Sequence, residues 1–417
     1  MDFTSAFFAK NRLNLLQKMK VNSVMILLSN NQYPKNGDQQ FAFRQQSDLY
    51  YLTGITQEKT SLILYKNKKG DVFEYIFILK PDLRLETWEG KKLNKIEVET
   101  VSGINQVLWN SSFDRKIFDL VKVDTLIYLL GEDAFSQTTN LNLKHSSFEK
   151  KLENRFPNNK IESPRQILNQ LRLIKSDEEI AMMQEAVDIT NEAYKKVLST
   201  VRPNQKEYEV EAEIFYNFRR LGANGHAYDP IVASGINACS LHYIKNNSLL
   251  KNGDLLLMDF GADYNYYAAD LSRTIPVNGK FSSRQKELYQ LVLEIQKKAI
   301  LLFVPGNTIK IVNKKVNQWM KKELKEIGLL NKEEELQKYY PHGTSHFLGI
   351  DVHDVGNIEI PFEKGMVLTC EPGLYVENEA LGIRIENDIV VGEPPLDLMS
   401  KTIRNIDEIE KAMEKNV

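Results

Sequence analysis

Five residues spread over positions 259–386 of the chain, Asp259, Asp270, His346, Glu371 and Glu386, read together as the donor set of a two-metal centre. Asp259 closes the apolar run Leu255-Leu256-Leu257-Met258, and Asp270 follows with the polar stretch Asp263-Tyr264-Asn265-Tyr266 between two strand-like runs. That pattern is a hairpin. A turn centred on Tyr264-Asn265 makes residues 259 and 270 cross-strand partners, with Cβ atoms roughly 4.5–5.5 Å apart and like charges facing each other. Glu371 closes a second apolar run, Met366-Val367-Leu368-Thr369-Cys370, and Glu386 interrupts a third, between Ile385 and Ile389-Val390-Val391. Carboxylates in such strands are costly to bury unless they are paired or bound to a cation. Any one of these acids alone is an ordinary turn former; four of them with a histidine have no such explanation. Four carboxylates and one imidazole form a hard, oxygen-rich set suited to manganese, with cobalt or zinc also tolerated.

The elements that must position these residues split near residues 165–172. Before that point, short runs such as Val24–Leu28, Ser61–Tyr65, Tyr75–Leu79 and Thr125–Leu130 alternate with helical stretches, as in an α/β domain. After it, Ser176-Asp-Glu-Glu179 has the form of a capping box and opens a long helix toward Leu198. A second helix is expected from about Lys206 to Leu221, then the hairpin, helices at 283–303 and 309–327, and strands at 366–391. This order suggests two similar halves, although no sequence repeat is visible.

Composition sets further bounds. With 417 residues, 42% hydrophobic and 26% charged, the chain is long enough for more than one core. A net charge of −2 gives no basic field for nucleic acid. The two cysteines, Cys239 and Cys370, build no disulfide framework and favour a reducing compartment. No apolar run is long enough to span a membrane, and the amino terminus carries an amphipathic rather than a secretory pattern; the expectation is a cytoplasmic protein.

The segments around the five ligands resemble the proline-specific metallopeptidases of the pita-bread fold, above all aminopeptidase P (Xaa-Pro aminopeptidase), with prolidase a close relative. The matching stretches are Ile231–Tyr243, Asp259-Phe-Gly-Ala, Asp270–Gly279, His342–Gly356, Glu371-Pro-Gly-Leu-Tyr375 and Gly382–Asp388, joined in the amino-terminal half by Phe43–Gly54. The resemblance implies an α/β architecture: an N-terminal creatinase-like domain at 1–168, then a C-terminal pita-bread domain of duplicated α+β halves at 169–417. It implies an exopeptidase that releases the first residue of peptides with proline in second position, by attack of a metal-bridging hydroxide. Prolidase activity on Xaa-Pro dipeptides is the alternative, and a non-catalytic pita-bread binding module a remote one. Creatinase lacks the metal ligands, and methionine aminopeptidases usually lack the amino-terminal domain.

Roles follow by matching positions. The resemblance makes Asp259 a ligand of one ion, His346 and Glu371 ligands of the other, and Asp270 and Glu386 bridges between two divalent ions, with Mn2+ favoured and Co2+ or Zn2+ possible. Glu371 would also handle the attacking water's proton. His242 and His353 match residues that bond the scissile carbonyl and the developing oxyanion, and His342 one that walls the proline pocket. Tyr228 would line the substrate side and Arg384 would orient Glu386. Asp38 and Trp88 match residues that reach a neighbouring subunit's active site, implying a homodimer or homotetramer. His145 and His226 fall outside every motif and read as structural or surface residues. One departure stands out: Asn357–Lys364 contains no arginine where several relatives use one to grip the substrate. A dipeptidase must clamp a free carboxylate, and arginine is the natural clamp. Its absence leans toward an aminopeptidase acting on longer peptides.

Overall fold

β-branched and aromatic runs in the amino-terminal part pair into a six-stranded mixed sheet. Its order is Val107–Trp109, Val72–Ile78, Ser61–Lys66, Ser23–Leu28, Leu126–Leu130 and Ile161–Glu162. The strand Ser23–Leu28 lies at the centre, antiparallel to Ser61–Lys66 and parallel to Leu126–Leu130, with residues 24–27 fully buried. The computed structural model describes residues 3–130 and 147–414, so His145 lies outside the described residues. Contacts divide the chain into two units, Met1–Leu171 and Arg172–Val417.

In the second unit, two long helices followed by antiparallel strands occur twice, in keeping with a pita-bread architecture. The helix Asp177–Thr200 starts at a complete capping box of Ser176 and Glu179 and buries Met183, Ala186, Val187, Thr190, Tyr194 and Val197 at helical spacing. Glu207–Arg220 follows, and Ser283–Ile300 and Ile309–Glu326 repeat the pair. The first half supplies a sheet of Ile231–Ser234, Leu255–Phe260 and Leu271–Pro276. The second supplies Val367–Cys370 with Asn387–Val390 and Leu396–Asp397, and the ribbon Gly373–Val376 with Leu381–Arg384. Leu255, Leu256, Leu257, Met258 and Phe260 are all buried, which is why this strand is apolar on both faces.

The hairpin register differs from the sequence expectation. Asp259 lies opposite Ser272, not Asp270. Tyr264 pairs with Tyr267, and the turn falls on Asn265 and Tyr266, both in the left-handed region with φ of 47° and 70°. Moving the turn by one residue moves the cross-strand pairing by two. The polar stretch hid this, because a tyrosine at positive φ is not a sequence signal for a turn. Asp259 and Asp270 therefore sit diagonally across the hairpin. Between them the chain leaves one sheet for another at Gly261, where a Cβ would lie 1.7 Å from the carbonyl oxygen of Ala269. Glycine is required there by close approach, since backbone on the opposing strand occupies the space a side chain would need.

Gly261→Ala is therefore expected to cost at least about 1–3 kcal/mol of stability, as overpacking does, read as a lower midpoint in urea unfolding. A variant as stable as the parent would show that the two strands separate freely.

Candidate metal centre

The strand ends of both halves deliver acids to one cavity of about 490 Å³, lined by Asp259, Asp270, His346, Glu371 and Glu386 together with Tyr228, His242, His342, His353 and Arg384. Asp270, His346 and Glu386 each offer a ligand atom within 4.8 Å of the others. His346 Nε2 lies 3.3 Å from Asp270 Oδ2 and 3.7 Å from Glu371 Oε1. His346 Nδ1 donates to the carbonyl oxygen of Phe347 at 3.1 Å, which fixes the tautomer and leaves Nε2 free to ligate. Glu371 is placed by its backbone N–H on the Thr344 carbonyl and Glu386 by its own on the Ser272 carbonyl.

Charge crowding shapes the titration of the group. Burial pushes the carboxyls of Asp270 and Glu386 up, and neighbouring acids add to it. Burial pushes Glu371 up to about 7, with His346 and Arg384 opposing. His346 is raised to about 9: burial alone would lower it, but Asp270 and Glu371 outweigh that cost. Three buried carboxyls pushed toward their protonated form and a histidine held toward its charged form mark a place short of positive charge. A divalent cation supplies it, so the donor set fits the group its residue types imply.

Several neighbours carry bonds that the sequence did not indicate. Tyr228, read as a substrate-side residue, lines this cavity, and its hydroxyl lies 2.6 Å from both Asp259 Oδ1 and Asp270 Oδ1. Burial first, then Asp259 and Asp270, hold that phenol well above its ordinary range, so its single proton is shared between the two carboxylates. Arg384 was expected to orient Glu386. Its guanidinium instead donates to Asp259 Oδ2 at 2.6 Å, Ser272 Oγ at 2.8 Å and the Tyr375 hydroxyl at 2.8 Å. Glu386 is reached only through Ser272, whose hydroxyl donates to Glu386 Oε2 at 2.7 Å. The reason is local geometry: two residues apart, Arg384 and Glu386 lie on either side of the step from one sheet to the next. His342 lines the cavity, but both ring nitrogens are engaged, Nδ1 with the Gly343 carbonyl and Nε2 with the Tyr375 hydroxyl.

Sequence reasoning gave no role to Tyr375 or Ser272, although both lie in quoted motifs; only the fold shows how closely the Tyr375 hydroxyl is packed, 2.7 Å from where a Cβ on Gly373 would sit. His353 stands beside His346, ring centroids 4.5 Å apart, and burial lowers it to about 4. His226 packs between Phe215 and Phe218, away from the centre. Asp38 and Trp88 belong to the other unit. Asp38 is an exposed residue of a hairpin turn, and Trp88 is 87% exposed on the helix Leu83–Glu89.

Residues 181–393 match the model of metallopeptidase family M24, and residues 8–128 match the aminopeptidase P N-terminal domain. The chain is 35% identical to the Xaa-Pro aminopeptidase of Haemophilus influenzae, over 97% of this chain and 96% of that one. It is 34% identical to the Escherichia coli Xaa-Pro aminopeptidase, over 97% of each. Among solved structures it superposes on proline aminopeptidase P II from Yersinia pestis with a TM-score of 0.90, at 33% identity and 99% coverage of both chains. Zinc-substituted E. coli aminopeptidase P in complex with product gives a TM-score of 0.90 at 31% identity, again with 99% of both chains covered.

Metal uptake must displace protons from these carboxyls and from His346. Apparent affinity for Mn2+ is therefore expected to rise with pH across the neutral range, with at least about one proton released per chain. Titration calorimetry in two buffers of different ionisation enthalpy measures this; uptake with no proton release would contradict the crowded-carboxyl account.

Proposed function

The chain belongs to metallopeptidase family M24 and is a metal-dependent aminopeptidase that cleaves the bond between an N-terminal residue and proline; we propose that Asp259, Asp270, His346, Glu371 and Glu386 hold two divalent ions for that reaction. The observation that carries the proposal is the convergence of Asp270, His346 and Glu386 within 4.8 Å, in a cavity that Asp259 and Glu371 also line. A bound divalent pair supplies Lewis-acid polarisation of the scissile carbonyl and activation of water near neutral pH, so no serine or cysteine nucleophile is needed. The oxygen-rich donor set favours Mn2+. The zinc-substituted E. coli relative with its product supports acceptance of zinc as well.

The protein's own groups divide the remaining work. Glu371, raised to about 7 by burial against the opposing pull of His346 and Arg384, suits the transfer of the attacking water's proton. His353 is kept neutral and offers an N–H to the oxygen on which negative charge develops; His242, which lines the same cavity, bonds the scissile carbonyl. His342, with both nitrogens engaged, serves as a wall for the proline ring. The absence of arginine in Asn357–Lys364 supports action on peptides longer than a dipeptide. Asp38 and the exposed indole of Trp88 are proposed to complete a neighbour's site in a homodimer or homotetramer. A cytoplasmic setting is proposed from the two unpaired cysteines; no described helix is long and apolar enough to cross a membrane.

Asp270→Ala or Glu386→Ala should abolish hydrolysis of an Xaa-Pro-Xaa tripeptide and lower bound metal from roughly two ions per chain, measured by elemental analysis beside activity. A fully active, fully metallated Glu386→Ala enzyme would refute the centre. His242→Ala and His353→Ala should keep their metal and lose about 10²–10³ in turnover; loss of metal in either would reassign that histidine as a ligand. Comparing the tripeptide with an Xaa-Pro dipeptide separates aminopeptidase from dipeptidase action.

For the assembly, Trp88→Ala should raise KM without changing metal content, and activity should fall on dilution together with the sedimentation coefficient. A monomer with undiminished turnover would leave Trp88 and Asp38 without a part in the site.

A further inference from the structure

Nothing bonded to the ring of His242 holds it in place. Among the described residues no hydrogen bond reaches its imidazole, and the side chain is exposed at the cavity wall. The segment that carries it, between the 3-10 turn Gly235–Cys239 and the strand Leu255–Phe260, contains no helix and no strand. An exposed side chain on irregular backbone normally samples several positions, whereas a group that stabilises developing charge must be held ready.

The fixing comes from below. Glu207, the first residue of the helix Glu207–Arg220, is fully buried. Its Oε1 accepts from the Ser234 N–H at 2.8 Å, the Ser234 hydroxyl at 2.8 Å and Asn237 Nδ2 at 3.0 Å. Its Oε2 accepts from the Tyr243 hydroxyl at 2.8 Å and the Ser248 N–H at 2.8 Å. The backbone N–H of Glu207 returns a bond to the Ser248 carbonyl at 3.0 Å. One turn along the same helix, Glu211 accepts from Asn246 Nδ2 at 2.9 Å, and Asn246 Oδ1 in turn accepts from the Val232 N–H at 3.0 Å. The irregular segment is thus tied to one helix on both sides of His242, and the nearest tie is its direct neighbour, Tyr243.

No described ion pair involves Glu207; five donors and the N-terminal end of its helix satisfy the buried charge. Stability alone is a weak reason to bury such a group, because apolar packing of similar volume does as well or better. What five directional bonds add is a single loop geometry. We propose that Glu207, acting through Tyr243, is a positioning residue for His242 and sets the orientation from which that imidazole meets the scissile carbonyl. The proposal rests on the role given to His242 above.

The test is a double-mutant cycle on the metal-loaded enzyme with an Xaa-Pro-Xaa tripeptide, comparing Tyr243→Phe, His242→Ala and the two combined, with Glu207→Gln beside them. Tyr243→Phe removes one hydrogen bond from the loop and is expected to lower kcat about threefold to tenfold. KM, bound metal and melting temperature should barely move, since a misoriented transition-state group costs turnover rather than ground-state binding. In the His242→Ala background the same substitution should have no further effect, because its target is gone. Glu207→Gln should lower kcat more than Tyr243→Phe does; should it fail to fold, Tyr243→Phe alone decides. An equal loss from Tyr243→Phe in both backgrounds, or none in either, overturns the positioning role while leaving that of His242 intact. Full turnover in His242→Ala is a separate result, which removes the role of His242 and this inference with it.

Discussion

The centre is organised by one electrostatic constraint: four carboxylates, Asp259, Asp270, Glu371 and Glu386, line a cavity in which one guanidinium and one imidazole are the nearby cations. In a low-dielectric setting such a group is tolerable only with added positive charge or added protons. The surrounding bonds respect that. Arg384 neutralises Asp259, the Tyr228 proton lies between Asp259 and Asp270, and the Ser272 hydroxyl reaches Glu386. Each neighbour lowers the cost of holding the acids together without filling the space where a cation belongs.

The scaffold achieves this by ending strands at the cavity rather than passing through it. Asp259 and Glu371 fall at or just past strand ends, and Asp270 and Glu386 fall at steps from one sheet into the next. The halves are stitched behind the ligands by Arg273, a fully buried residue that donates to the carbonyls of Ser272, Glu386 and Ile403 and to Asn387 Oδ1. A guanidinium suits this because its planar fork satisfies several fixed carbonyls at once. The same economy recurs under the loop that carries His353. There Arg172 and Lys175 pair with the buried Asp354, and Gly349 is pressed so close to Asp354 that a side chain would not fit.

The two walls of the site are therefore held by different chemistry. The side carrying the carboxylates is fixed by groups that share protons and charge with the acids themselves. His242 and His353 lie on irregular segments secured one residue away, His242 through Tyr243 and His353 through Asp354. Among the described residues no hydrogen bond occupies either imidazole, which suits the substrate-facing part proposed for both.

The sequence alone determined the candidate donors and the order of elements, because both are written in local patterns. Four acids inside or ending apolar runs, with a histidine, are anomalous as a set, and the capping box at Ser176 with its following helical period needs no tertiary context. The resemblance to a metallopeptidase family rested on contiguous motifs, and the family models match the chain over residues 8–128 and 181–393. The tertiary structure decided the partnerships. Asp259 faces Ser272 rather than Asp270 because the turn falls on Asn265 and Tyr266, and a tyrosine in the left-handed region is not announced by its residue type. Arg384 bonds Asp259 rather than Glu386, and Tyr228 joins Asp259 to Asp270 at the cavity wall, because hydrogen bonds are short and directional and join residues distant along the chain, 125 positions apart in the case of Arg384 and Asp259. Sequence spacing fixes which side chains share a strand or a helix face; which distant strand end meets them depends on how the sheets step and cross, and that is set only when the whole core packs.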